Sequence, residues 1–234
     1  MVLPSTFTDH ALACFPKEAC GLMCGGEFIP CDNVSDTPET SFRIEPHLIA
    51  SRDDIDYIVH SHTIKAGKVD PRIPSVADMH GQIDTDLPWA IAYCDGETVT
   101  EALTFGDTVR PPLEGRECVL NVADCLTLVT DYYAERHDIH LPAVPRAIDW
   151  CERGEDLIND NLARFGFTQV TLADARPGDA VLFKLPNAKV ANHIGVYLGN
   201  NEVLHSLWGR LSCIDQLSTY AKYVDKVVRH KDIQ

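Results

Sequence analysis

Arg110-Pro-Pro-Leu-Glu-Gly-Arg116 holds two prolines, a glycine and no apolar periodicity. Proline can neither extend a helix nor donate to a sheet ladder, so such a segment marks a break between folded elements. Read as a linker over 111–116, it divides the 234 residues into a first domain over 1–110 and a second over 117–234. Either piece is long enough to bury its own core. With 45% hydrophobic and 24% charged residues, the composition is that of a folded globular chain, which excludes collagen-like and low-complexity classes.

The halves differ in charge. Before position 112 there are 7 basic and 18 acidic residues, and after it 13 and 17. The net charge of −15 argues against a nucleic-acid backbone as the main partner. No apolar run approaches the roughly 20 residues of a membrane-crossing helix, so no span is expected. The opening MVLPSTFTDHALACFPKEA lacks a basic start followed by an apolar stretch, which predicts a soluble chain without a secretory leader. Nine cysteines at irregular spacing predict reduced, mostly buried thiols.

The first half reads as a helix with short mixed strands, GLMCGGEF (21–28), YIVHSHT (57–63) and PWAIAYC (88–94), giving an α/β or α+β domain. His60-Ser61-His62 lies in the second of these strands, where alternation puts both imidazoles on one face. Ser75-Val-Ala-Asp78 follows Pro74 like a helix start, and its first turn could deliver a carboxylate to the histidines. Three protein ligands with a fourth position open are the pattern of a catalytic zinc. Glu18, expected at the end of the first helix, is the candidate general base. Ser-x-x-Asp also fits a capping box that serves only to satisfy amide groups.

Glu upstream, then His-x-His, then Ser-x-x-Asp resembles the JAB1/MPN/Mov34 metalloenzymes, the JAMM proteases. Pro16-x-Glu18-x-x-Gly21-Leu22, the stretch from Cys31 through Phe42-Arg-Ile-Glu-Pro46, and Leu87-Pro-Trp89 extend the likeness. The resemblance implies a mixed-sheet domain in which His60, His62 and Asp78 bind zinc, Glu18 acts as base and Ser75 helps to stabilise the oxyanion.

In the second half, Cys125 to Arg136 repeats Leu126, Val129 and Tyr133 at helical spacing, and a further helix is expected over 150–165. Strands DAVLFKL (179–185), NHIGVYLG (192–199) and EVLHSLW (202–208) follow. Asp124-Cys125 opens the first of these helices, where the dipole and free amides favour a thiolate. His193, on a strand, is the candidate base, and His205 on the next strand the group that orients it. Hairpin register tests that pair. A two-residue loop pairing Gly199 with Glu202 would put the histidines on opposite faces. A three-residue Gly-Asn-Asn loop would set His205 against Gly195, diagonal to His193 at roughly 7–8 Å.

Asp-Cys-x-x-Leu-Val, His-x-Gly-Val-Tyr-Leu-Gly and the later Leu-His resemble the NlpC/P60 cysteine peptidases, a papain-like family that hydrolyses cell-wall stem peptides. The resemblance implies a triad of Cys125, His193 and His205. A JAMM domain fused to an NlpC/P60 domain is similar to a family of tail assembly proteins of lambda-like phages. It implies other tail-tip and hub proteins as partners, peptidoglycan peptides as substrate, and a place in the host cytoplasm during assembly and at the virion tail tip. The competing expectation is a structural tail-tip component with idle pockets. It is motivated by the 12-residue spacer between His62 and Ser75 and by Cys118 and Asn121 ahead of the thiol, where the family commonly carries an aromatic residue and a glycine.

Overall fold

The structure, a computed structural model, describes residues 1–65, 67–106 and 110–233 and divides into two compact units, Met1–Val109 and Arg110–Gln234. Positions 107–109, at the end of the first expected domain, lie outside the described residues. Among the described residues no helix is long and apolar enough to cross a membrane.

The first unit runs α1 (Ser5–Cys14), β1 (Cys20–Cys24), β2 (Glu27–Cys31), α2 (Pro46–Ala50), β3 (Ile55–His62), α3 (Val76–Thr85), β4 (Trp89–Tyr93) and β5 (Leu103–Phe105). Among the described residues its strands are ordered β2-β1-β3-β4-β5. β3 and β4 are parallel, joined through α3, and the other pairs are antiparallel, which is the mixed sheet expected. β3 is central, and Ile58 to Ser61 are all buried. α1 sets Phe7 and Ala11 against Met23, Phe28, Val59 and Ala90. GLMCGGEF is not a single strand. Gly25 and Gly26 take φ of 57° and 84°, the left-handed pair that a tight two-residue turn requires, and fold it into the β1–β2 hairpin.

The second unit runs α4 (Cys125–His137), α5 (Trp150–Arg153), α6 (Leu157–Leu162), β6 (Phe167–Val170), β7 (Ala180–Phe183), β8 (His193–Gly199), β9 (Glu202–His205), β10 (Cys213–Gln216) and β11 (Val224–His230). Among the described residues six strands form one antiparallel sheet, β10-β9-β8-β7-β11-β6. α4 packs Val129 and Tyr133 into a core with Leu182, Ile194 and Val196. The helix expected over 150–165 is instead two short ones, because Gly154 takes φ of 84° and closes α5 with a left-handed cap.

The stretch expected as a linker is part of this second unit. Leu113 and Arg116 are buried, and Arg116 donates to Asp131 Oδ2 on α4 at 2.6 Å and to the carbonyls of Pro111 (3.0 Å) and Pro112 (2.9 Å). Arg110 donates to the same carboxylate. Two prolines preclude regular structure here, but paired guanidinium groups hold the segment on the helix.

Candidate active sites

In the first unit, the register of β3 places His60 and His62 on one face, and α3 brings Asp78 to them. His62 Nε2 lies 3.1 Å from Asp78 Oδ2, and His60 Nε2 lies 3.3 Å from Oδ1. His62 Nδ1 meets the Pro71 carbonyl at 2.6 Å, which fixes that ring. His60 is fully buried, stacked on Phe42 (ring centroids 4.2 Å apart) and edged by Trp89, yet neither of its ring nitrogens has a well-formed hydrogen-bond partner among the described residues. The 3.3 Å approach to Asp78 is therefore close without being an aligned hydrogen bond. Ligand atoms of His60, His62 and Asp78 all lie within 4.8 Å of one another, and a buried orphan imidazole facing a carboxylate fits a shared cation better than a polar contact.

The capping box forms as well. Ser75 Oγ accepts the Asp78 N–H at 3.1 Å, and Asp78 Oδ2 accepts the Ser75 N–H at 2.7 Å. The carboxylate that faces both histidines is thus also the cap of α3. Glu18 lies in the segment between α1 and β1, not at the helix end, with its backbone held by the Pro38 carbonyl and the Asn33 amide. Burial pushes its carboxyl up to about 7, the nearby His62 pulls it down, and the Asp78 charge adds to the rise. Ser61 ties β3 to the same segment by accepting the Ala19 N–H at 2.9 Å.

In the second unit, Asp124 is the N-cap of α4. Its Oδ1 accepts the Leu126 and Thr127 amides at 3.0 and 3.1 Å, while Oδ2 takes the Asn121 amide at 2.7 Å and an ion pair from buried Arg146. Asn121 sits at φ of 65°, a conformation that asparagine tolerates better than most side chains, so the missing family glycine leaves the turn intact. Cys125 follows at the first helical position. Here the expectation of a dipole-favoured thiolate is corrected: burial pushes the thiol up to about 12, with the Asp124 charge adding to the rise, against smaller lowering by Arg146 and a backbone hydrogen bond at Ile194. That contact puts the sulfur beside β8 at the residue after His193. Among the described residues the sulfur makes no hydrogen bond to the His193 ring.

The two histidines do meet. His193 Nε2 lies 2.9 Å from His205 Nδ1, with ring centroids 5.1 Å apart. His205 pairs with Gly195, as expected, but by another route. Asn200 and Asn201, at φ of 49° and 64°, make a two-residue turn pairing Gly199 with Glu202. An irregularity between Tyr197 and Gly199 then shifts the register by one residue and restores the shared face. Burial pushes His193 down to about 3 and His205 below its ordinary value.

Sequence reasoning missed the group behind His205. β10 pairs Asp215 with Val203, diagonal to His205, and Asp215 Oδ2 lies 3.1 Å from His205 Nε2. The same oxygen accepts Tyr220 Oη at 2.7 Å and Arg210 at 3.1 Å. Burial opposes its charge, but hydrogen bonds from Tyr220, His205 and Arg210 hold the carboxyl at about 2. No motif marks Asp215; only the pairing of β9 with β10 reveals it.

Residues 110–230 match the NlpC/P60 family. The chain is similar to tail tip assembly protein K of Escherichia phage N15, at 30% identity over 96% of this chain and 93% of that protein. It is also similar to tail tip assembly protein K of Escherichia phage lambda, at 36% identity over 65% of this chain and 69% of that one. A solved NLP/P60 family protein from Staphylococcus aureus, similar to a lipoprotein, shares 21% identity over 50% of this chain and 37% of its own, at a TM-score of 0.37, too low to carry weight.

Proposed function

Because the chain belongs to the NlpC/P60 family and, along most of its length, to the family of tail tip assembly protein K, we propose that it works at the phage tail tip as a hydrolase with two sites. The second unit supplies a thiol peptidase site of Cys125, His193 and His205 acting on peptidoglycan stem peptides. The first unit, JAB1/MPN-like in this reading, supplies a zinc (iso)peptidase site. Other tail-tip and hub proteins are its partners, first in the host cytoplasm and then in the virion.

The observation that carries this reading is the 2.9 Å relay between His193 and His205, on the strands next to the helix start that bears Cys125. In acyl transfer the thiol proton goes to the His193 ring, and the sulfur keeps the electron pair and attacks the carbonyl carbon. His205 holds the ring in place. In the first unit, His60, His62 and Asp78 would hold zinc, which supplies Lewis acidity that polarises a carbonyl and eases deprotonation of water. Glu18, with its carboxyl raised by burial, is suited to hold a proton near neutral pH, and Ser75 keeps a hydroxyl proton to donate.

A second reading, a structural tail-tip component with idle pockets, is favoured by one observation. The Cys125 sulfur makes no hydrogen bond to the His193 ring among the described residues, and burial pushes the thiol up and the imidazole down, which favours the neutral pair. Digestion of purified peptidoglycan by the full-length protein separates the two. Release of stem peptides that Cys125→Ala abolishes and His60→Ala spares supports the peptidase. Inert wild type, with no zinc after metal analysis, supports the structural role.

A further inference from the structure

We infer that the Asp215 carboxylate is a positioning residue that, through His205, fixes His193 as the Nε2–H tautomer and leaves Nδ1 as its one proton acceptor. This rests on the reading of Cys125 and His193 as a thiol and its base.

The assignment follows from donors and acceptors. An ionised carboxylate only accepts. Asp215 Oδ2 lies 3.1 Å from His205 Nε2, so that nitrogen carries the proton. A neutral imidazole carries one proton, so His205 Nδ1 presents a lone pair. His193 Nε2, 2.9 Å away, must then be the donor, and its Nδ1 has the remaining lone pair. That Nδ1 makes no hydrogen bond among the described residues. When the Cys125 S–H bond breaks, the proton moves to Nδ1, the sulfur keeps both electrons, and the imidazolium so formed retains its Nε2–H bond to His205.

The surroundings hold Asp215 in this role. Tyr220 Oη donates to Oδ2 at 2.7 Å and its ring stands edge-on to His205. Arg210 reaches Oδ2 at 3.1 Å and Oδ1 at 3.4 Å, and also meets the Cys213 sulfur at 2.9 Å. His205, Cys213 and Asp215 lie close enough to hold a metal, but the Arg210 guanidinium already supplies the positive charge there. The carboxylate is therefore spent on His205, Tyr220 and Arg210.

Ring nitrogen NMR of the full-length protein at neutral pH tests this. In wild type the His193 proton is expected on Nε2. Asp215→Ala is expected to populate both tautomers and, above the ordinary thiol range at about pH 9.5, to slow iodoacetamide alkylation of Cys125 by at least about tenfold, the low end of what losing a hydrogen-bonded group behind a working imidazole costs. Tyr220→Phe keeps the carboxylate and should keep the wild-type tautomer. A proton on Nδ1 in wild type overturns the assignment whether or not the variant folds, and so does an unchanged tautomer in Asp215→Ala. Cys125 inert to alkylation even above the ordinary thiol range, at about pH 9.5, in a wild type that still shows His193 Nε2–H would sink the peptidase reading and leave the role of Asp215 standing.

Discussion

At the start of α4 the amide dipole favours a thiolate, yet loss of solvent dominates and leaves Cys125 at about 12 beside a His193 at about 3. Two predictions follow from the signs. The folded pKa of His193 lies below its unfolded value near about 6.5, so its contribution to stability is complete above that pH and is lost as pH falls towards 3. Thermal melts should show Tm falling more steeply from pH 6.5 to 4 in wild type than in His193→Gln; parallel profiles would mean the ring is not buried neutral. For Cys125 the folded value is raised, so alkylation of the unliganded protein should accelerate only above the ordinary thiol range, near about pH 8.5. A plateau already reached at pH 7 would show a preformed thiolate pair. At the zinc candidate, His60→Ala removes the orphan imidazole and should lower zinc content, read by metal analysis, by at least about tenfold relative to wild type.

The β8–β9 hairpin sets the geometry of the histidines, and its tolerance is narrow. A Cβ on Gly195 would lie 2.9 Å from the Leu204 carbonyl oxygen and 3.0 Å from His205 Cβ, so β9 would have to move away. Gly195→Ala should cost about 1–3 kcal/mol by denaturant unfolding and weaken hydrolysis together with the His193–His205 contact. An unchanged midpoint and activity would show that β9 gives way without loss. This element also marks how far the sequence could be read. Alternation revealed β3, β7, β8 and the common face of His60 and His62, because strand periodicity is local. The bulge beside Leu198 was not legible, since it balances turn geometry against the burial of both histidines. Nor was the break at Gly154, where a left-handed cap overrides the apolar pattern of the expected helix. Asp215 was hidden for a different reason: its partner comes from another strand, and a carboxylate ten residues beyond His205 has no spacing that points to a ring nitrogen.

At the scale of the whole chain, the division into Met1–Val109 and Arg110–Gln234 puts the proline-rich segment inside a folded unit, and the consequence can be measured. Asp131 is buried on α4 and takes guanidinium groups from both Arg110 and Arg116. Cutting at the boundary expected from composition, before residue 117, removes both cations and leaves a buried carboxylate without its partners. Breaking a buried pair in this way costs about 3–5 kcal/mol, a large share of what holds a domain of this size together. A fragment of residues 110–234 should therefore unfold cooperatively, with the intact second-unit core of Tyr133, Leu182 and Val196. A fragment of residues 117–234 should melt well below it or fail to fold. Asp131→Asn placed in the shorter fragment should recover part of the loss, because a neutral amide is far cheaper to bury than an unpaired charge. Equal melting of the two fragments would show that the Arg-Pro-Pro segment is the tether its composition suggests and that Asp131 finds other partners.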